Sequence, residues 1–352
     1  MSNHVAIALL ALILALLFRW CFTRLPGEKW QFLAILPAAQ DAQGLWQGIN
    51  LTYYGVFNAT AYTLACALVL VLATAAGLAR LPVAAVAAAL LAVCAPASRG
   101  IARWVEKKPH TFSIGGASFL GLLLLPVLLW AANHLAARTG ALPLAPDVVL
   151  AAVSIAYTLG ESVGRLACIS FGCCYGKPLD ALTPGLRRLF ARWYFIFRGG
   201  TKKIAYAGHL AGVRVVPIQG LTATWYAMAG VSGIALFVHG AFRAAFILTL
   251  TATQLWRFAS EFLRADHRGG GRISTYQIMA LVSVGYGLAV TVLMPASPAL
   301  PFPPDILTGL RQLWHPGWLL ALQTLWLATF IYTGRSRVTG ARIAFHVESA
   351  RI

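Results

Sequence analysis

Glu161 and Arg165 lie in one long apolar run of the chain, and Arg257 and Glu261 lie in another. A charge at the centre of a membrane-crossing helix costs about 2.5–3.5 kcal/mol on insertion scales, so such residues are kept mainly where they work. Each couple is spaced i, i+4, which puts both side chains on one helix face within ion-pair reach. Arg264 continues the second stripe at i+7. Two guanidiniums converging at a membrane interface suit bidentate phosphate binding. The plainer reading is two neutralised ion pairs near helix ends that only aid insertion.

The neighbouring residues favour a site. Arg165 is followed by Cys168, Gly172, Cys173, Cys174, Tyr175 and Gly176, so a charged helix end runs into a glycine-flanked turn where backbone can approach a ligand. Gly115, Gly116, Ala117 and Ser118 open another helix with small residues, which permit tight packing or close approach of a head group. The stretch from Gly172 to Pro178 is not a phosphate loop. Its spacing is one residue short, and proline stands where serine or threonine should bind magnesium. The six cysteines show neither CxxC spacing nor a disulfide framework, and packing is the plain role for most of them.

The elements that must carry these residues follow from composition. With 59% hydrophobic and 11% charged residues over 352 positions, the chain has more apolar surface than a soluble domain could bury. Runs of roughly 17–25 apolar residues suffice to cross a bilayer. Nine are present: Val5–Phe22, Val56–Leu78, Leu81–Ala97, Ile114–Ala137, Val148–Phe171, Leu221–Val238, Ala241–Leu263, Tyr276–Met294 and Trp318–Tyr332. The first lacks a preceding basic residue and is followed by Arg19 and Arg24, so it reads as a retained anchor rather than a cleaved signal. The expected fold is an all-α polytopic membrane helix bundle with seven core spans and one extra at each end. We divide it into an anchor and interfacial connection (1–50), a core (51–294) with a basic loop at 173–217, and a C-terminal helix with a basic tail (295–352). Ala296–Pro304 is proline-rich and reads as an extended connection.

The net charge of +18 belongs to the loops. Twenty-two of the 28 Lys and Arg fall in five segments, between Arg19 and Gly55, Ser98 and Ser113, Cys173 and Pro217, Arg264 and Ser274, and after Thr333, which nine spans place on a single side of the membrane. Such clustering sets topology or meets anionic lipid, and nucleic acid is not an expected partner. The charge rule names that side cytoplasmic. The 173–217 loop mixes arginines with Trp193, Tyr194, Phe195 and Phe197, a composition suited equally to a membrane interface and to a solvated basic loop.

From Tyr53 to Met294 the chain resembles the bacterial prolipoprotein diacylglyceryl transferase family. Tyr53-Tyr54-Gly55 resembles the family's Trp-Tyr-Gly, and Gly115 to Gly121 its Gly-Gly-x-Ser-Phe-His-Gly. Gly164-Arg165-Leu166-Ala167-Cys168 through Gly176 is similar to its Gly-Arg-x-Gly-Asn signature in a Gly-Cys-Cys-Tyr-Gly form. Pro217-x-Gln219 resembles its His-Pro-x-Gln-Leu-Tyr-Glu, and Arg257 to Arg264 its Arg-Phe-x-x-Glu-Phe-x-Arg.

The resemblance implies a multi-pass enzyme of the bacterial plasma (inner) membrane. Its activity would be transfer of a diacylglyceryl group from phosphatidylglycerol to the lipobox cysteine thiol of a prolipoprotein. It calls for no cofactor and no metal, and it places the signature loops on the outer face, against the charge rule. Arg165, Arg257 and Glu261 carry over as catalytic. Tyr54, Gly115, Gly116, Ser118, Glu161, Gly164, Cys168, Gly172, Cys173, Tyr175, Gly176, Gln219 and Arg264 carry over as substrate-binding. Leu120 replaces the family's histidine, Cys168 its asparagine, and Val216, Leu221 and Thr222 the residues around Pro-x-Gln. His110 and His209 are the loop histidines that remain to supply an imidazole. Two further readings stay open: a related membrane transferase with a changed acceptor, and a phospholipid-binding protein without chemistry.

Overall fold

The computed structural model describes residues 2–106, 113–266, 273–294, 297 and 300–352. His110 and most of the Ala296–Ala299 stretch lie outside the described residues. Twelve helices are described: α1 (Asn3–Arg24), α2 (Tyr53–Ala75), α3 (Arg80–Glu106), α4 (Ile114–Thr139), α5 (Pro146–Phe171), α6 (Pro184–Phe190), α7 (Lys203–Gly208), α8 (Ile218–Val238), α9 (Phe242–Glu261), α10 (Thr275–Leu293), α11 (Ile306–Leu313) and α12 (Pro316–Gly334). Five short strands accompany them: β1 (Phe32–Gln40), β2 (Trp46–Thr52), β3 (Phe195–Ile196), β4 (Arg214–Val215) and β5 (Arg335–Ile343).

All nine expected apolar runs are helical. Seven of these helices, α1 to α5, α8 and α10, are long and apolar enough to cross a membrane, so the chain is a multi-pass helix bundle. The other two are less apolar. α9 carries Arg243, Gln254, Arg257 and three threonines, and α12 begins with proline and glycine and holds Gln323. Both pack lengthwise on the bundle, α9 on α5, α8 and α10, and α12 on α2. The third run extends well beyond Ala97, because Pro96 sits inside α3 instead of ending it. Neighbouring helices and local hydroxyls make an internal proline tolerable in a membrane helix. Here the Ser98 hydroxyl donates to the Ala95 carbonyl at 2.7 Å.

α5 forms the centre of the bundle, with 78% of its most apolar window buried against 17% for α1 and for α3. Small residues bring its partners close. A side chain on Gly160 would come within 3.0 Å of the Ala61 carbonyl of α2, and Gly164 also faces Ala61. Gly230 and Gly233 of α8 receive Leu159 and Ile155 of α5 in the same way. Such approaches let helices associate where lipid offers no hydrophobic drive. Hydroxyls add cross-helix bonds: Ser162 donates to the Ala223 carbonyl at 2.6 Å, and Ser154 and Thr249 share one at 2.7 Å.

At one end of the bundle the connections bind one another. β1, β2 and β5 form an antiparallel sheet in that order, joining the 25–52 connection to the C-terminal tail. The amide of Arg198 donates to the Pro26 carbonyl at 3.0 Å, and that of Ala265 donates to the Tyr175 carbonyl at 3.1 Å. Four of the five basic segments are therefore in direct backbone contact, as a shared side requires. At the other end α11 lies across α2, where Gly309 packs against the Val71 carbonyl.

Candidate functional site

α5 ends in a left-handed turn at Gly172 (φ 71°), and Glu161 stands ten residues before the end of the helix. At 1.5 Å per residue this puts its carboxylate about 15 Å inside the bundle from that face. A carboxylate at such depth must be paired and hydrogen-bonded. Arg165, one turn on, binds Glu161 Oε1 through Nη2, and the Tyr157 hydroxyl, one turn back, donates to Glu161 Oε2. Arg257 arrives from α9. Its Nη2 donates to both Glu161 oxygens, at 2.9 and 2.8 Å, and to the Tyr157 hydroxyl at 2.8 Å. The Glu161 side chain is 2% exposed, and those of Arg165 and Arg257 are 11% and 10% exposed.

The two i, i+4 couples expected from the spacing are thus joined into one cluster. Arg257 gives its hydrogen bonds to Glu161 and Tyr157 rather than to Glu261, which remains within electrostatic reach of Arg257 and Arg264. The reason is the packing of α9 on α5, which aims the guanidinium across the interface. Two guanidiniums share the one carboxylate of Glu161 in a buried place. The Nε atoms of Arg165 and Arg257 are also buried without a hydrogen-bond partner among the described residues. A buried donor of this kind costs roughly 1–3 kcal/mol unless something accepts from it.

The cluster opens on a cavity of about 250 Å³ between α2, α3, α4, α5 and α9. Asn58, Tyr157, Glu161 and Gln254 provide its polar wall, while Leu90, Leu122 and Phe246 are among its apolar lining. A second cavity, of about 430 Å³, lies between α2, α3, α4 and α12, and its lining includes Tyr54, Ser98 and Thr333. The two share Asn58, Tyr62, Leu91 and Ile114 and so adjoin. Together they make a slot with mostly apolar walls, suited to hydrocarbon chains, and Tyr157 and Glu161 are the members of the cluster on its lining.

No family model matches the chain, and no curated protein matches it.

The remaining expected residues divide by position. Gly115 touches the cluster, because a side chain there would run into Arg257 Nη1, while Gly116 meets Ile101 of α3 instead. Ser118 lines the cavity, and its hydroxyl donates to the Gly115 carbonyl at 3.0 Å. Tyr54 lines the second cavity and bonds to Asn58. Gly164 serves the α2–α5 contact. Beyond α5, Gly172 turns the chain, and Gly176 forms a bridge with Arg264 that leaves no room for a side chain beside the Val216 carbonyl. Gln219 donates to the Cys173 carbonyl at 2.9 Å. Tyr175 is buried against Gly208. Arg264 is held by Asp266 in a two-pronged pair at 2.9 and 2.7 Å, so its fork is engaged within its own turn. His209 is exposed on the basic loop.

The turn after α5 gathers Cys168, Cys173 and Cys174, whose sulfurs lie within 4.8 Å of one another. Hydrogen bonding with the Cys168 and Cys174 thiols, and then burial, hold the Cys173 thiol well above the usual range. Lys202 closes the turn from below. Its ammonium donates to the Leu25 carbonyl at 3.2 Å and to the Ser170 carbonyl, and burial pulls its pKa down to about 8.

Sequence reasoning missed Tyr157, Asn58, Tyr62 and Gln254. A signal for three of them exists. Tyr157, Glu161 and Arg165 share one i, i+4 face of α5, and Tyr54, Asn58 and Tyr62 share one of α2.

Proposed function

We propose that the chain is a transferase that moves a diacylglyceryl group from phosphatidylglycerol to the lipobox cysteine thiol of a prolipoprotein, in a bacterial plasma membrane. The observation that carries the reading is the buried Arg165–Glu161–Arg257 cluster, with two unmade Nε donors, set beside an adjoining pair of apolar cavities. The acyl chains occupy the cavities, and the phosphodiester lies against the guanidiniums. Glu161 and Tyr157 hold those guanidiniums in place.

The acceptor thiol loses its proton, and its sulfur attacks the glyceryl carbon that carries the phosphate oxygen. A carbon–sulfur bond forms as that carbon–oxygen bond breaks. The bonding pair leaves on the phosphate, giving glycerol phosphate with one more negative charge, while the thiol proton passes to solvent. Arg165 and Arg257 stabilise the charge that builds on the leaving group. Preorganised donors of this kind are each worth about 10²–10³ in turnover.

A related transferase with a changed acceptor is the second reading. It is favoured by the apolar residues at Leu120 and Val216 and by the lack of histidine among the described residues lining either cavity. The test is to mix purified protein with labelled phosphatidylglycerol and a lipobox peptide and to look for the diacylglyceryl thioether, with Arg165→Ala and Arg257→Ala alongside. Product that disappears in both variants supports the reading. Lipid binding through the arginines with no product from the peptide favours a changed acceptor, if another thiol or hydroxyl reacts, or a lipid-binding protein, if none does.

A further inference from the structure

The three-cysteine turn is not used by the arginine cluster, yet it is built beside it. Cys168 lies three residues beyond Arg165, on the same face of α5. Cys173 and Cys174 follow Gly172, and left-handed backbone at Gly172 (φ 71°) and Cys174 (φ 54°) folds them back over Cys168. The Cys173 amide donates to the Cys168 carbonyl at 3.1 Å, and Gln219 holds the Cys173 carbonyl from α8. All three sulfurs fall within 4.8 Å of one another. Sulfurs bound tetrahedrally to one zinc ion at about 2.3 Å stand about 3.8 Å apart, so no pair has to close by more than about 1 Å.

Charge is the second observation. Arg165 acts on Cys168 and Cys174, Lys202 on Cys173, Lys203 on Cys173 and Cys174, and Arg264 on Cys174. Four cationic side chains therefore stand around the three sulfurs. Three thiolates and a divalent ion sum to one negative charge, which suits these surroundings. A disulfide would use two of the sulfurs and leave the convergence of the third without a role.

We propose that Cys168, Cys173 and Cys174 form a three-thiolate site for one thiophilic divalent ion, with zinc the best fit, and that its fourth position takes the acceptor thiol. Three protein ligands with one open position is the pattern of catalytic rather than structural zinc. Tyr54, which lines the second cavity, is within electrostatic reach of all three sulfurs, so that position neighbours the lipid slot. A thiol that coordinates such an ion gives up its proton outright. The acceptor R–SH would bind as R–S⁻ with one proton released to solvent, and its sulfur would then make the bond to carbon. This supplies the deprotonation for which the arginine cluster offers no base. The assignment of the fourth position rests on the transferase reading; the metal site itself does not.

The test titrates the reduced, purified full chain with cobalt(II), which replaces zinc and reports thiolate ligands by intense near-ultraviolet absorption. The expected result is one cobalt per chain, displaced by zinc, with affinity falling at least tenfold in Cys168→Ser, Cys173→Ser and Cys174→Ser and unchanged in Cys21→Ser. Should a serine variant fail to fold, the wild-type chain still reports. Zinc should protect all three cysteines from alkylation, read by mass spectrometry of the peptides. Absence of the absorption band, or a band that survives all three substitutions, overturns the metal site. So does a chain that binds no metal and loses two of the thiols to a disulfide. Adding a small thiol to the cobalt form should shift the band. An unshifted band overturns the fourth-position assignment alone. None of these readouts depends on transfer from phosphatidylglycerol, so failure of the transferase reading is seen separately.

Discussion

Arg257 of α9 and Glu161 of α5, 96 residues apart, meet through Nη2 at 2.8 and 2.9 Å in the interior of the bundle. Because Arg165 binds the same carboxylate, one acid holds two guanidiniums, each with a buried Nε that has no hydrogen-bond partner among the described residues.

Glu161→Gln should strand both cations. Breaking a buried ion pair from one side costs about 3–5 kcal/mol, so the midpoint of thermal unfolding in neutral detergent should fall by several degrees. Phosphatidylglycerol should then raise the variant's midpoint more than it raises the wild type's, because the phosphate takes the place of the lost carboxylate. Equal shifts with phosphatidylglycerol and phosphatidylcholine would mean that the arginines do not meet a phosphate.

Arg257→Lys should fail almost as completely as Arg257→Ala. Lysine keeps the charge but cannot span Glu161, Tyr157 and a ligand with one planar fork. Turnover of labelled phosphatidylglycerol in the two variants, each expected about 10²-fold or more below wild type, checks this.

Gly115→Ala and Gly116→Ala make a matched pair. Each inserts a methyl group into a filled space, at a cost of about 1–3 kcal/mol, but only the first pushes on the Arg257 guanidinium. Both should lower thermal stability, and only Gly115→Ala should weaken binding of phosphatidylglycerol in a direct assay. Equal weakening by both would place the effect in general packing.

Lys202 gives stability a pH dependence whose sign follows from its burial. The side chain titrates near 8 in the folded chain against 10.5 unfolded, so between those values the unfolded state binds the extra proton and stability rises with pH. Across that window the gain is about 3 kcal/mol, and below pH 8 the full cost of burying the ammonium is present. Unfolding midpoints measured from pH 7 to 10.5 should rise more steeply in the wild type than in Lys202→Met. Parallel curves would show that the ammonium is not desolvated in the turn.

The apolar runs, the placement of their basic connections at one end, and the two arginines were all readable along the chain. Hydrophobicity over twenty residues and the cost of a charge within such a run are local quantities, and neither depends on which helix lies beside which. The same locality limited the reading of the pairs. The spacing of Arg257 and Glu261 allows an ion pair on one helix, but the partner of Arg257 was settled by the face that α9 turns toward α5. Tyr157 and Asn58 carry no signal of their own as single residues. Asn58 became part of the site because Gly160 and Gly164 draw α2 against α5, and Tyr157 because Arg257 of α9 reaches its hydroxyl.

Sequence alone determined that this is a multi-pass helix bundle with charges retained inside it, since burying that much apolar surface and sparing those few charges are constraints each segment obeys separately. Only the tertiary structure decided that Glu161 serves both arginines, that β5 returns to β2, and that three cysteines without metal-ligand spacing bring their sulfurs together. Those are relations between segments. They depend on how small residues let helices approach and on where left-handed turns send the chain, and neither is written in the period of any one helix.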